Sequence, residues 1–194
     1  MSFYRRRLPH WHPEGVPAFL TWKLYGSLPR KVDLLTGDAA ATEGRRFLAF
    51  DREMDRATAG PTWLKEARVA QCVVDTLFTG AEQWKLYELF AWVVMANHVH
   101  GLVQAHKPLR EVTRAVKSTS ARLANGILGR SGWPFWQDES YDHWVRDARE
   151  FDRVVHYIEW NPVHAGLVER VEEWPWSSAS PRFQPGQVGD LPHA

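Results

Sequence analysis

Apolar residues concentrate in one stretch of this chain, Ala91 to Gln104, AWVVMANHVHGLVQ. Ala91–Met95 predicts a buried strand, Ala96-Asn97 a short turn, and the residues after it a second strand carrying His98 and His100. The first of these strands is expected to start at Gln83, and the pair to form a hairpin. Val16–Tyr25, rich in β-branched and aromatic residues, predicts an earlier strand that Gly26-Ser27-Leu28-Pro29 ends. Helical spacing marks Thr42–Arg56 and Leu64–Leu77, the latter burying Leu64, Val69, Val73 and Leu77. Leu109–Leu128 reads as an amphipathic helix with Val112, Val116, Leu123 and Ile127 inward and Lys117, Ser118, Ser120 and Arg122 on its polar side. Phe135–Val145 predicts a further strand. Asp147 is placed to cap a last helix from Ala148 to about Trp160, which Asn161-Pro162 should stop.

The resulting order is strand, helix, strand, strand, helix, strand, helix. Its first six elements match the split βαββαβ arrangement. The expected fold class is therefore α+β: a ferredoxin-like antiparallel sheet with helices packed on one face, plus an extra C-terminal helix that bears Tyr157. Residues 1–15 read as a basic arm broken by Pro and Gly, 16–178 as the domain, and 179–194 as a flexible tail.

Composition narrows the picture. A single cysteine, Cys72, excludes an internal disulfide and a cysteine-built zinc site, and fits a reducing cytoplasm. No run is long and apolar enough to cross a membrane, and the Arg-rich start leads into Pro9 and Pro13 instead of an apolar signal core, so a cytoplasmic location is expected. The net charge is only +1, but Arg5, Arg6 and Arg7 are consecutive and are followed by His10, Trp11 and His12. The chain holds 11 Trp, and any exposed ring can stack on an unpaired base.

In a strand, His98 and His100 point to one face and present two imidazoles side by side, with Val99 turned away. Such a pair is half of a divalent-metal site with positions left open. The plainer alternative is two core histidines satisfied by hydrogen bonds. His10 and His12 repeat the spacing, but among Arg and Pro where no buried strand is expected. On the last helix Tyr157 and Asn161 are one turn apart and share a face. A tyrosine can attack a phosphodiester when a cation polarises the phosphate, and an Asn carbonyl can complete a two-histidine site. The alternative is a tyrosine packed on the sheet and an Asn that begins a turn. A zinc hydrolase is a further reading, but the chain lacks an HExxH helix and that reading leaves Tyr157 without a role.

MANHVHGLV resembles the His-hydrophobic-His motif of the HUH endonucleases, and HYIEWNPVHAGLV resembles the tyrosine helix of their single-tyrosine transposases. YRRRLPHWHPEG, FWQDESYDHWVR and EEWPWSS are similar to segments of the REP-associated tyrosine transposases of bacteria, in the same order over roughly residues 3–178. The resemblance implies a divalent metal, Mg²⁺ or Mn²⁺, and cleavage of single-stranded DNA beside a hairpin through a 5′-phosphotyrosine. It implies His98 and His100 as metal ligands, Asn161 as a third, and Tyr157 as nucleophile. Arg5, Arg6, Arg7 and Trp11 are candidates for contacts to the DNA. A catalytically inactive nucleic-acid-binding domain of the same fold is the alternative. Homodimer and monomer both remain open, and the stretch 30–60 has no evident role.

Overall fold

The computed structural model describes residues 2–5, 9–12, 15–27 and 43–183, with side chains for 15–27 and 47–183. In chain order the elements are β1 (Ser2–Arg5), β2 (Pro9–His12), β3 (Pro17–Lys23), α1 (Glu43–Arg56), α2 (Ala67–Phe78), β4 (Tyr87–Val94), β5 (His98–Ala105), α3 (Leu109–Ile127), β6 (Tyr141–Trp144) and α4 (Ala148–His164). The main sheet runs β4-β5-β3-β6 with every neighbouring pair antiparallel. Numbered from β3, that is the 2-3-1-4 order of a ferredoxin-like sheet, as expected.

Both faces of the sheet are covered. Ala18, Leu20, Trp22, Val99 and Val103 pack with α2 and α3, which bring Val69, Val73, Leu77, Val112 and Val116 to one continuous core. Phe19, Ala91, Val93 and Leu102 face the other way, under Ile158 and the neighbouring apolar residues of α4. Strand parity alone puts His98 and His100 on this second face with Leu102. A bulge between Leu89 and Ala91 in β4 reverses that strand's parity and lets Tyr87 and Trp92 share the first core.

Several elements differ from the sequence expectation. β4 begins at Tyr87, because Thr79–Gln83 extends α2 as a π-helical turn. The strand expected over 135–145 is reduced to Tyr141–Trp144, with Trp136 making only an isolated bridge to Leu24. On α3 the buried track runs through Ser120 and Ala124, and Leu123 is 39% exposed. The reason is the segment at 133–136: Trp136 Nε1 donates to Ser120 Oγ, and Asn125 donates to the Trp133 carbonyl. Asp147 caps α4 as expected, accepting from the Glu150 N–H. The helix nonetheless runs through Pro162 to His164. Burial of Asn161 and Pro162 holds that turn against the usual preference of a residue before proline.

Pro9–His12 is extended and pairs with Ser2–Arg5, a hairpin apart from the main sheet that its Pro- and Arg-rich composition did not suggest. Arg5 and Trp11 lie in it as backbone; Arg6 and Arg7 lie outside the described residues. At the other end, packing continues past 178: Phe183 stacks on Phe78 and meets the Trp92 ring edge-on. Residues 184–194 are outside the described residues.

The segment carrying α1 leaves and rejoins the body at one place. Gly60 has a positive φ of 76°, and a Cβ there would run into the Gly26 carbonyl oxygen. Only glycine satisfies both conditions. Gly60→Ala should therefore cost about 2 kcal/mol or more of unfolding free energy, read as a lower urea midpoint.

Candidate metal and nucleophile site

β5 projects His98 and His100 into the second face with both rings fully buried, 0% exposed. Their Nε2 atoms lie 3.1 Å apart. Each Nδ1 is held from behind. Thr21, opposite His100 in the β3–β5 register, sits with Oγ1 2.8 Å from His100 Nδ1. Asn97 Oδ1 is 2.7 Å from His98 Nδ1. The Asn97 amide is oriented by its other end, since Nδ2 donates to the Met54 carbonyl of α1 at 2.9 Å. Oδ1 must then accept from His98 Nδ1–H, which leaves a bare lone pair on His98 Nε2. Two imidazoles fixed from behind with their Nε2 atoms converging form the usual support of a metal centre.

The third group comes from α1. Asp51 is 1% exposed, and its Oδ1 lies 3.3 Å from His100 Nε2 and 3.8 Å from His98 Nε2. Its Oδ2 accepts hydrogen bonds from the Tyr157 hydroxyl and, at 3.3 Å, from Asn161 Nδ2. Asp55, one turn on, places Oδ1 3.6 Å from His98 Nε2. So α4 delivers Tyr157 and Asn161 to the spot that β5 and α1 define, and the Tyr157 ring centre is 5.8 Å from that of His100. A second tyrosine, Tyr141, is on the same face, but its ring stacks on Phe47 at 4.5 Å.

The electrostatics follow from burial and charge. Burial pushes the Asp51 carboxyl up, but the close approach of His100, then His98 and the Tyr157 hydroxyl, outweighs it and holds Asp51 well below the usual carboxylate range. Asp55 goes the other way: burial, reinforced by the charge on Asp51, pushes it up to about 7. Burial and the neighbouring His100 ring push His98 down to about 3, so that it is neutral at ordinary pH. Burial, with the charge and hydrogen bond of Asp51, holds the Tyr157 phenol far above its ordinary range.

The donor set fits a divalent cation. The Oδ1 atoms of Asp51, Asp55 and Asn161 are all buried without a hydrogen-bond partner. The two orphaned carboxylate oxygens, beside the bare His98 Nε2, are costly unless a cation takes them. Asp51, His98 and His100 offer ligand atoms within 4.8 Å of one another. Asn161 turns its Nδ2 to the site, 3.4 Å from His100 Nε2, so that its carbonyl could reach a ligand position only with the amide turned over. Sequence reading missed Asp51, Asp55, Thr21 and Asn97. A signal existed for the first two, as carboxylates at i and i+4 on the helix face that also carries Phe47 and Met54.

Residues 64–161 match the family described as "Transposase IS200 like". The chain belongs to that family. It is 30% identical over 95 residues to the REP-associated tyrosine transposase of Escherichia coli K12, covering 47% of this chain and 54% of that protein. A second REP-associated tyrosine transposase, from Haemophilus influenzae, is 42% identical over 43 residues, 22% of this chain and 24% of its own. The chain thus spans about half the length, or less, of the relatives it matches. A solved REP-associated tyrosine transposase bound to a REP hairpin has the same fold, with a TM-score of 0.53 and 21% identity over 99% of this chain and 96% of that one. Among the described residues no helix is long and apolar enough to cross a membrane.

Asp55 supplies a test of this electrostatic picture. Its folded pKa is raised, so between about pH 4 and pH 7 the folded protein holds a proton that the unfolded chain does not. Its contribution to stability is therefore lost as pH rises through that window. In metal-free buffer Asp55→Asn should stabilise the protein by on the order of 2 kcal/mol at pH 8 and leave it unchanged at pH 4. Urea unfolding at the two pH values measures this, and a saturating dication at pH 8 should cancel the gain.

Proposed function

We propose that the chain is a metal-dependent endonuclease and strand transferase of single-stranded DNA, acting beside a hairpin through a covalent 5′-phosphotyrosine. One observation carries the reading: the phenol of α4 and the paired imidazoles of β5 meet on a single buried carboxylate, Asp51. His98, His100 and Asp51 would hold the metal, with Asp55 and Asn161 beside it. The bound dication would polarise the scissile phosphate and balance its charge.

The protein's own groups do the rest. Thr21 and Asn97 keep the imidazoles in place and the tautomer of His98 correct. Tyr157 Oη displaces the 3′ oxygen from phosphorus. The Asp51 Oδ2 that accepts from the hydroxyl keeps it aimed at the site, the phenolic proton is lost to solvent as the bond to phosphorus forms, and the departing 3′ oxygen takes a proton from water. The new phosphodiester preserves the bond for a later 3′-hydroxyl to reverse the attack and join strands. His98, His100, Asp51 and Asn161 are each 1% exposed or less, so the packing over them must open before a phosphate reaches the site.

Tyr157→Phe should keep fold, metal binding and hairpin binding but lose nicking and the trapped adduct. Mass spectrometry locates the linked residue, and an adduct on Tyr141 would falsify the assignment. Replacing both His98 and His100 by Ala should abolish nicking with the fold intact. Asp51→Asn should weaken Mn²⁺ binding by about 10- to 100-fold in titration calorimetry.

A further inference from the structure

The outer face of α4 carries an unusual set of side chains. Arg149, Arg153, His156, Trp160 and His164 follow one another at intervals of four, three, four and four residues, so they form one stripe along the helix. All five are exposed, Trp160 at 38%. Three of the rings form a ladder. His156 and Trp160 stack at 5.1 Å and 12° between planes, and His164 continues the row 6.2 Å from Trp160. The stripe spans about 22 Å, the reach of several nucleotides.

Its position relative to the nucleophile matters most. Tyr157 lies on the border between this stripe and the buried face of α4. Arg153 is one turn before it and Trp160 one turn after, so both are its neighbours on the helix surface. Across the site the exposed Arg52 of α1 acts on Tyr157 electrostatically. The acids nearby are largely engaged: Glu150 accepts from the Arg146 N–H and pairs with His143, and Glu159 accepts from Ser178. Asp152 is exposed and adjoins Arg149 and His156 at the N-terminal edge of the stripe, but lies about 80° round the helix from Trp160.

We propose that this stripe is the track for the unpaired strand of the DNA substrate, with Arg149 and Arg153 on its phosphates and the His156–Trp160–His164 ladder under its bases. The proposal rests on the transposase reading and adds the path of the strand through the protein. Charge favours a polyanion, and stacked rings with an open face favour bases over a protein surface. A ladder serving only to stiffen the helix would show in stability and not in DNA binding.

The test uses the full chain and a labelled DNA hairpin, either blunt or with an unpaired oligothymidine flank, followed by fluorescence anisotropy. Trp160→Ala should weaken binding of the flanked hairpin about tenfold and leave the blunt hairpin unchanged, while Trp160→Tyr restores most of the loss. Replacing Arg149 and Arg153 by Ala should reduce the salt dependence for the flanked hairpin by about 0.7 per arginine. Equal losses on both hairpins, or no loss on either, overturn the track. Loss of nicking in Tyr157→Phe with those results still leaves the transposase reading standing. Wild-type protein that binds neither hairpin overturns both.

Discussion

The Asp51 carboxylate is the constraint around which the second face of this sheet is built. A buried carboxylate is tolerable only when charge and hydrogen bonds compensate for its lost water. Here one oxygen faces two imidazoles and the other takes the Tyr157 hydroxyl and the Asn161 amide. Two partners come from β5 and two from α4, so satisfying one carboxylate fixes α1, β5 and α4 relative to one another. Asn97 adds a second tie, holding the Met54 carbonyl of α1 and the His98 ring together. The compensation is incomplete, because three carboxylate and amide oxygens are left without partners. The two on Asp51 and Asp55 lie where a dication would take them.

The two faces of the sheet divide the labour. The face under α2 and α3 is mainly apolar and supplies most of the buried hydrophobic surface. The other trades part of that burial for the polar cluster, and α4 spans the boundary: Ile158 in the core, Tyr157 and Asn161 at the site, Trp160 outside. A helix repeats every 3.6 residues, so adjacent positions can serve core, chemistry and surface at once.

Asp51 and Asp55 precede the residues that match the family, 64–161. They arrive on a helix tethered where Gly60 meets Gly26. Phe47 sits edge-on to Phe19, His100 and Tyr157, and Met54 is fully buried beside the acids. The stretch without an evident role in the sequence therefore supplies both carboxylates and the cover of the site.

What the sequence determined by itself is local and periodic. Strand alternation put His98 and His100 on one face, helical spacing put Tyr157 and Asn161 together, and the order of elements specified the sheet. Asp147 marked the start of its helix. Features set by contacts between distant residues were not legible. The Leu123 position was misjudged because Trp136 and Trp133 draw α3 over toward Ser120 and Asn125. Pro162 did not end its helix because burial and the Asn161 contacts outweigh a local preference. Asp51 lies 47 residues before His98 in the chain, and no periodicity links them. Only the tertiary structure decided that this carboxylate, and not solvent, faces the imidazoles and the phenol, because a buried charge selects its partners by distance in space.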